Sequence, residues 1–219
     1  MRLALFGGTF DPIHNAHIAV AREAADHFQL GQVLFIPNAV PPHKLRQATA
    51  SYTHRLAMVE LAARADPRFS ASRLEEGQEK RKGRSRPPPI HELSPHPSRD
   101  RVRFARVPQK SYSILTIERV RRELGPAAEL FFLIGADAFS EIETWFRWRD
   151  VLDQVQFIVL SRPGYQYDSP AGARVHRLET LQLDVSSTAI RRRLAAGEAP
   201  PELPPAVLRY IRENNLYSA

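Results

Sequence analysis

A chain of 219 residues with 31 Lys+Arg against 24 Asp+Glu, a formal net charge of +7 and 43% hydrophobic positions has the makeup of a water-soluble globular protein. It is long enough to bury one core without disulfides or a structural metal. The absence of cysteine excludes thiol nucleophiles, redox pairs and Cys-ligated zinc; no apolar run approaches the roughly 18 residues of a membrane helix, and a cytoplasmic protein is expected.

In chain order, Leu3 to Phe6 predicts a short strand closed by Gly7-Gly8. Ile18, Val20, Ala21, Ala24, Ala25 and Phe28 then recur at helical spacing over 16–30. Val33 to Ile36 predicts a second strand stopped by Pro37, followed by a polar loop and a helix over about 52–65. Arg73 to Arg106 concentrates the positive charge, with ten Lys/Arg and five Asp/Glu. Within it, 75–101 carries five prolines from Pro87 to Pro97 and almost nothing to bury, which predicts a mobile basic Pro-rich insertion in an otherwise single domain spanning 1–219. A helix over 112–124, a strand over 130–134, a helix over about 140–152 and a strand over 155–160 follow. Two tail helices close the series, one over 188–196 ended by Gly197 and Pro200 and one over 205–214.

Alternating strands and helices, with strands that are continuously apolar, predict an α/β fold: a Rossmann-like doubly wound, mainly parallel sheet with helices on both faces and a small C-terminal helical part. Ligands of such sheets sit at the carboxyl ends of the strands. The loops after Phe6, Ile36, Ile134 and Leu160 are therefore where chemistry is expected.

The first of these loops reads Gly7-Gly8-Thr9-Phe10-Asp11-Pro12-Ile13-His14-Asn15-Ala16-His17. Its glycines permit close backbone approach, and the helix that follows offers unpaired N–H groups and a positive dipole end to an anion. Asn15 is the expected N-cap, with Asp11-Pro12 a competing start; either choice leaves His14 and His17 three apart on one side. Taken alone, such a pair reads first as surface or capping histidines; the surrounding Gly-Gly-Thr-Phe-Asp-Pro turns the reading toward an anion site. The loop matches neither the dehydrogenase glycine fingerprint nor the P-loop. Near the other end, Val185-Ser186-Ser187-Thr188-Ala189-Ile190-Arg191 opens a helix that Ser186 or Ser187 can cap. Thr188 and Arg191 stand in its first turn, a second anion site.

The first segment resembles the signature of nucleotidyltransferases that carry His-x-Gly-His, with Ala16 where the family usually has Gly. The second is similar to the Ile-Ser-Ser-Thr-x-x-Arg element of adenylyltransferases. Shorter stretches extend the likeness over nearly the whole chain and point to the bacterial nicotinate mononucleotide adenylyltransferases: Pro41-Pro42-His43-Lys44, Ser111-Tyr112-Ser113, Gly135-Ala136-Asp137 with Trp145 and Trp148, and Ser161-Arg162-Pro163-Gly164. Two features depart from that pattern, Leu115 at a position the family fills with an acid and the 75–101 insertion.

The resemblance implies transfer of the adenylyl group of ATP to nicotinate mononucleotide, giving nicotinate adenine dinucleotide and pyrophosphate in NAD biosynthesis, with Mg²⁺ accompanying ATP and no protein metal ligand. It implies catalytic roles for His14, His17, Lys44 and Arg191. Gly7, Gly8, Thr9, Phe10, Asp137, Arg162, Ser187 and Thr188 fall on ATP, and Ser111, Tyr112, Ser113 and Trp145 on the mononucleotide. Asp137 reads equally as a helix cap, and Trp145 with Trp148 as core-facing helix residues. Nicotinamide mononucleotide as acceptor remains an alternative, as does the phosphopantetheine-specific relative, which carries Thr where His14 stands. Nucleic-acid binding through the insertion is disfavoured, because the segment lacks interleaved aromatics for base stacking. No membrane partner is expected, and a homo-oligomer is left open.

Overall fold

Among the described residues six strands, β1 (Arg2–Gly8), β2 (Gln32–Pro37), β3 (Phe69–Ala71), β4 (Glu129–Gly135), β5 (Gln156–Ser161) and β6 (Val175–Glu179), form one sheet in the order β3-β2-β1-β4-β5-β6. Every neighbouring pair is parallel. The computed structural model describes residues 1–39, 49–75, 112–125, 127–180 and 185–218. Among the described residues seven α-helices accompany the strands: α1 (Asn15–His27), α2 (Tyr52–Ala63), α3 (Ser113–Leu124), α4 (Ala136–Ser140), α5 (Trp148–Gln154), α6 (Ser187–Ala195) and α7 (Pro205–Glu213).

Alternation along β1 explains the two layers. Ala4 and Phe6 face a core shared with α1, α2, Ile190 of α6 and Val207 and Ile211 of α7. Leu3 and Leu5 face a second core built with Ile114 and Ile117 of α3, Phe139 of α4 and Val151 of α5. Both faces are covered, which is why the central strands are apolar throughout. Strand order reverses between β1 and β4, so the crevice beyond Gly8 and Gly135 is the topological switch point.

Several expectations change. Strand β1 does not stop at Phe6: Gly7 and Gly8 pair with Ile36 and Pro37. His14, in extended conformation, is the N-cap of α1, and Asn15 is its first helical residue. Asn15 instead ties the helix start to the tail, its side chain donating to the Pro201 carbonyl at 3.1 Å and its N–H to the Glu202 carbonyl at 2.7 Å. The single helix expected over 140–152 is broken into α4, a 3-10 turn at Ile142–Thr144 and α5, because Trp145 is extended and Arg147 is left-handed with φ of 54°. Arg147 is held in that unusual conformation by ion pairs to Glu118 and Asp150.

Strands β3 and β6 lacked a readable signal. The first is three residues long, and the second is an edge strand whose His176, Arg177 and Glu179 interrupt any apolar run. Gly197, with φ of 80°, ends α6 as expected, its N–H returning to the Leu194 carbonyl at 2.9 Å. Glu75, placed by sequence at the start of the insertion, is buried instead: its carboxylate accepts the Ala39 N–H at 2.7 Å and the Thr116 hydroxyl at 3.4 Å. The expected mobile segment, from 76 onward, lies outside the described residues, as do Lys44 and Ser111. Among the described residues no helix is long and apolar enough to cross a membrane.

Candidate active site

At the end of β1 the chain turns through Thr9 and Phe10 into a cis Asp11-Pro12 bond. Phe10 is left-handed, with φ of 48°, and its ring packs edge-on against Phe6, Phe35 and His17 at centroid distances of 5.6, 5.8 and 5.1 Å. This packing gives Gly8 its reason. A Cβ there would lie 2.9 Å from the Phe10 ring, which is wedged among three neighbours and cannot yield. Gly7 is under no such pressure, since its Cβ would meet Phe132 at an ordinary 3.7 Å.

His14 and His17 stack at 3.7 Å between centroids. The His14 N–H donates to Nδ1 of His17 at 3.2 Å, so the proton of a neutral His17 ring sits on Nε2, which is presented as a donor. His14 is only 4% exposed and its Nδ1 has no hydrogen-bond partner among the described residues. Burial lowers its pKa to about 4, opposed by the nearby Glu202 charge. At neutral pH it can meet an anion only as a neutral N–H donor, not as a cation.

Helix α6 arrives at this loop from the far end of the sequence. Ser186 is its N-cap, without a side-chain capping bond; Ser187 donates its hydroxyl to the Pro12 carbonyl at 3.2 Å. Arg191 donates Nη1 to the Asp11 main-chain carbonyl at 2.7 Å and Nη2 to the Thr188 hydroxyl at 3.3 Å. These bonds pack the start of α6 on the Asp11-Pro12 turn that leads into His14 and α1. Each helix N-terminus favours negative charge beside it.

Asp137 and Arg162 stand at the neighbouring strand ends, where Gly135 pairs with Leu160. Arg162 opens a tight turn through Pro163 and Gly164, the latter at φ of 77°, closed by the Tyr165 N–H on the Arg162 carbonyl at 3.0 Å. Tyr165 then donates its hydroxyl to Asp137 at 3.1 Å. Asp137 is thus a partly occupied acceptor in the first turn of α4, and Gly135 is the N-cap there.

The aromatic candidates lie on the other face of the sheet. Tyr112 caps α3 and Ser113 begins it. The Tyr112 ring meets Phe146 at 4.7 Å, and Trp145 meets Phe132 edge-on at 5.8 Å. Trp145 and Trp148 are half-buried against the second core, but only Trp148 lies in a helix. Phe132 joins the two regions, touching both Trp145 and the space above Gly7.

Three residues missed by sequence reasoning hold these parts together. The Asp11 carboxylate, 6% exposed, accepts the Thr49 and Ala50 N–H groups at 2.8 and 3.0 Å and the Tyr217 hydroxyl at 2.8 Å. Arg55, 1% exposed, donates to the carbonyls of Thr9, Asn38 and Ala50 at 2.6, 2.8 and 3.2 Å. The signal for Arg55 was its place on the apolar stripe of α2, between Tyr52 and Leu56 and Val59; that for Tyr217 is absent from local pattern.

A cytidylyltransferase-like family model matches residues 5–193. A protein of Solibacter usitatus (strain Ellin6076), "Probable nicotinate-nucleotide adenylyltransferase", is 50% identical over the whole of both chains. One of the same name from Bacillus pumilus (strain SAFR-032) is 36% identical over 100% of this chain and 99% of its own. The fold is shared by the nicotinic acid mononucleotide adenylyltransferase of Plasmodium falciparum. Its complex with APC superposes with a TM-score of 0.67 at 16% identity, covering 99% of this chain and 96% of that one. Its complex with NaAD gives 0.64 at 17%, covering 99% and 97%. With the two signature segments in direct contact and likeness along the full length, the chain belongs to the cytidylyltransferase-like family and, within it, to the nicotinate-nucleotide adenylyltransferases.

Proposed function

We propose that the chain joins nicotinate mononucleotide to ATP, forming nicotinate adenine dinucleotide and releasing pyrophosphate, as a step of NAD biosynthesis in the cytoplasm. The 5′-phosphate of the mononucleotide attacks the α-phosphorus in line with the departing pyrophosphate, so the protein supplies position and charge rather than a nucleophile. The observation that supports this reading is the contact of Arg191 and Ser187 with the carbonyls of Asp11 and Pro12, which packs the start of α6 on the turn before α1.

In the proposed reaction the Nε2 proton of His17 faces the α-phosphate, where charge builds as the bond breaks, and His14 adds a neutral donor. The main chain from Gly7 to Phe10 lines the phosphate path. Arg191, with the N–H groups of Ser187 and Thr188, holds the β- and γ-phosphates. Lys44 joins His14 on the triphosphate in this scheme. Asp137 takes ribose hydroxyls by exchanging its bond from Tyr165, with Arg162 beside it. Tyr112, Ser113 and Ser111 border the acceptor, and Trp145 stacks on the pyridine ring. Among the described residues no group of three His, Asp or Glu side chains is arranged to hold an ion. The buried Asp11 carboxylate is already engaged by two N–H groups and a phenol. Mg²⁺ accompanying ATP would supply charge neutralisation on the phosphates, and its reluctance to dehydrate suits an ion that brings its own water.

Turnover of nicotinate and nicotinamide mononucleotides with Mg·ATP tests the assignment. The nicotinate form is expected to be used with the higher kcat/KM; equal values for the two would defeat the acceptor assigned here, and no dinucleotide from either would defeat the reaction.

A further inference from the structure

Tyr217 lies beyond α7, far in sequence from both signature segments, yet it reaches the loop that joins them. Its backbone is left-handed at φ of 61°, and Asn215 two residues earlier is left-handed as well at 49°. A bulky residue adopts that conformation only where its surroundings repay the strain. Here the ring is buried in the first core, and the hydroxyl donates to Asp11 Oδ1 at 2.8 Å. Burial first, and then the Asp11 charge, push the phenol far above its ordinary pKa, so it remains a donor at any working pH.

The Asp11 carboxylate is the hub of four segments. Oδ1 takes Tyr217 and the Ala50 N–H, and Oδ2 takes the Thr49 N–H. Arg191 lies 3.8 Å from Oδ2 while bonding the carbonyl of the same residue. Arg55 fixes the carbonyl of Ala50 from the other side. Rotation of the carboxylate would loosen the start of α2 and the guanidinium together, and the phenol is the one side-chain hydroxyl among its described partners that sets this rotation.

We propose that Tyr217 is a positioning residue for the polyphosphate grip: by fixing the Asp11 carboxylate it sets the guanidinium of Arg191, and through it the binding of Mg·ATP. The inference rests on the reading of Arg191 as a phosphate-binding residue. It predicts that Tyr217→Phe, which keeps the ring and its burial, weakens Mg·ATP binding about tenfold, the scale of a lost hydrogen bond to a charged group. The KM of the mononucleotide stays within about twofold, a selectivity that general loosening of the fold would not produce.

The experiment is a double-mutant cycle on the full chain, with wild type, Tyr217→Phe, Arg191→Lys and the double variant, reading the Kd of Mg·ATP by calorimetry and both KM values by turnover. Lysine at 191 keeps a charge but not the fork that reaches the Asp11 carbonyl. The effect of Tyr217→Phe should therefore shrink to under about twofold in that background. An unchanged Kd in Tyr217→Phe, an equal loss in both backgrounds, or parallel weakening of both substrates would each overturn the inference. A wild type that binds Mg·ATP but forms no dinucleotide would overturn the proposed reaction instead, and the Kd cycle would still decide the role of Tyr217.

Discussion

The two parts of the candidate site are held by different forces. Around His14 and Arg191 the scaffold is a set of buried, directional bonds: Asp11 to two N–H groups and a phenol, and Arg55 to three carbonyls. Around Tyr112 and Trp145 the contacts are ring against ring, and Phe146 is 44% exposed. Charge–dipole networks fix positions to fractions of an ångström, as a site needs where transition-state charge must be met without reorganisation. Ring contacts have broad minima and tolerate sliding, which suits a surface that exchanges solvent for a flat aromatic ligand. The first end should therefore respond to mutation in stability and turnover together, the second chiefly in acceptor binding with a small change in stability.

The largest break of that contrast is Arg55→Met. It leaves the carbonyls of Thr9, Asn38 and Ala50 without their buried donor, and unfolding stability should fall by about 3–5 kcal/mol. Denaturant titration checks this; a loss below about 1 kcal/mol would show that the loops do not depend on the guanidinium.

Next is the pH response of His14. Its folded pKa of about 4 is below the ordinary value of 6.5, so between these the unfolded chain binds the proton and the folded one does not. The stability linked to this ring is full above pH 6.5, falls as pH drops toward 4, and changes no further below that. The loss is about 3 kcal/mol. Subtracting the pH profile of His14→Gln from that of the wild type isolates it, and parallel profiles from pH 7.5 to 4.5 would contradict the burial of a neutral ring.

How much of this was legible follows the range of the interactions. Strands β1, β2, β4 and β5 announced themselves because both of their faces are covered, and α1, α2, α3, α6 and α7 because their apolar spacing and stop signals are local. Gly8 was marked as special, though for approach of a ligand rather than for the Phe10 ring that fills the space above it. His14, His17, Ser187 and Arg191 were readable from residue type and order, while the contact of Ser187 and Arg191 with the Asp11-Pro12 turn is a tertiary fact spanning 175 and 180 positions. Asp11 and Tyr217, 206 positions apart, and the left-handed Arg147 that splits the expected 140–152 helix had no periodic signature, because each is settled by partners distant in sequence or by side-chain ion pairs.

Two smaller changes separate the ends most cleanly. In the proposed reaction His17→Ala removes an Nε2 donor to the α-phosphate, and kcat should fall about a hundredfold with little change in either KM. A comparable rise in the KM of ATP with kcat retained would move His17 from the transition state to ground-state binding. Trp145→Ala should do the reverse. Stacking of a heteroaromatic ring on an indole is worth about 1–3 kcal/mol, and Trp145 is half-buried with its ring already braced edge-on by Phe132, so part of the gain is pre-organised. The KM of the mononucleotide should rise about tenfold, the Kd of Mg·ATP should stay within about twofold, and stability should fall by about 1 kcal/mol, since only part of the indole is packed. If ATP binding weakened in step with the mononucleotide, the bridge through Phe132 to the space above Gly7 would be transmitting the change, and the two ends would be one mechanical unit rather than a rigid grip beside an adaptable platform.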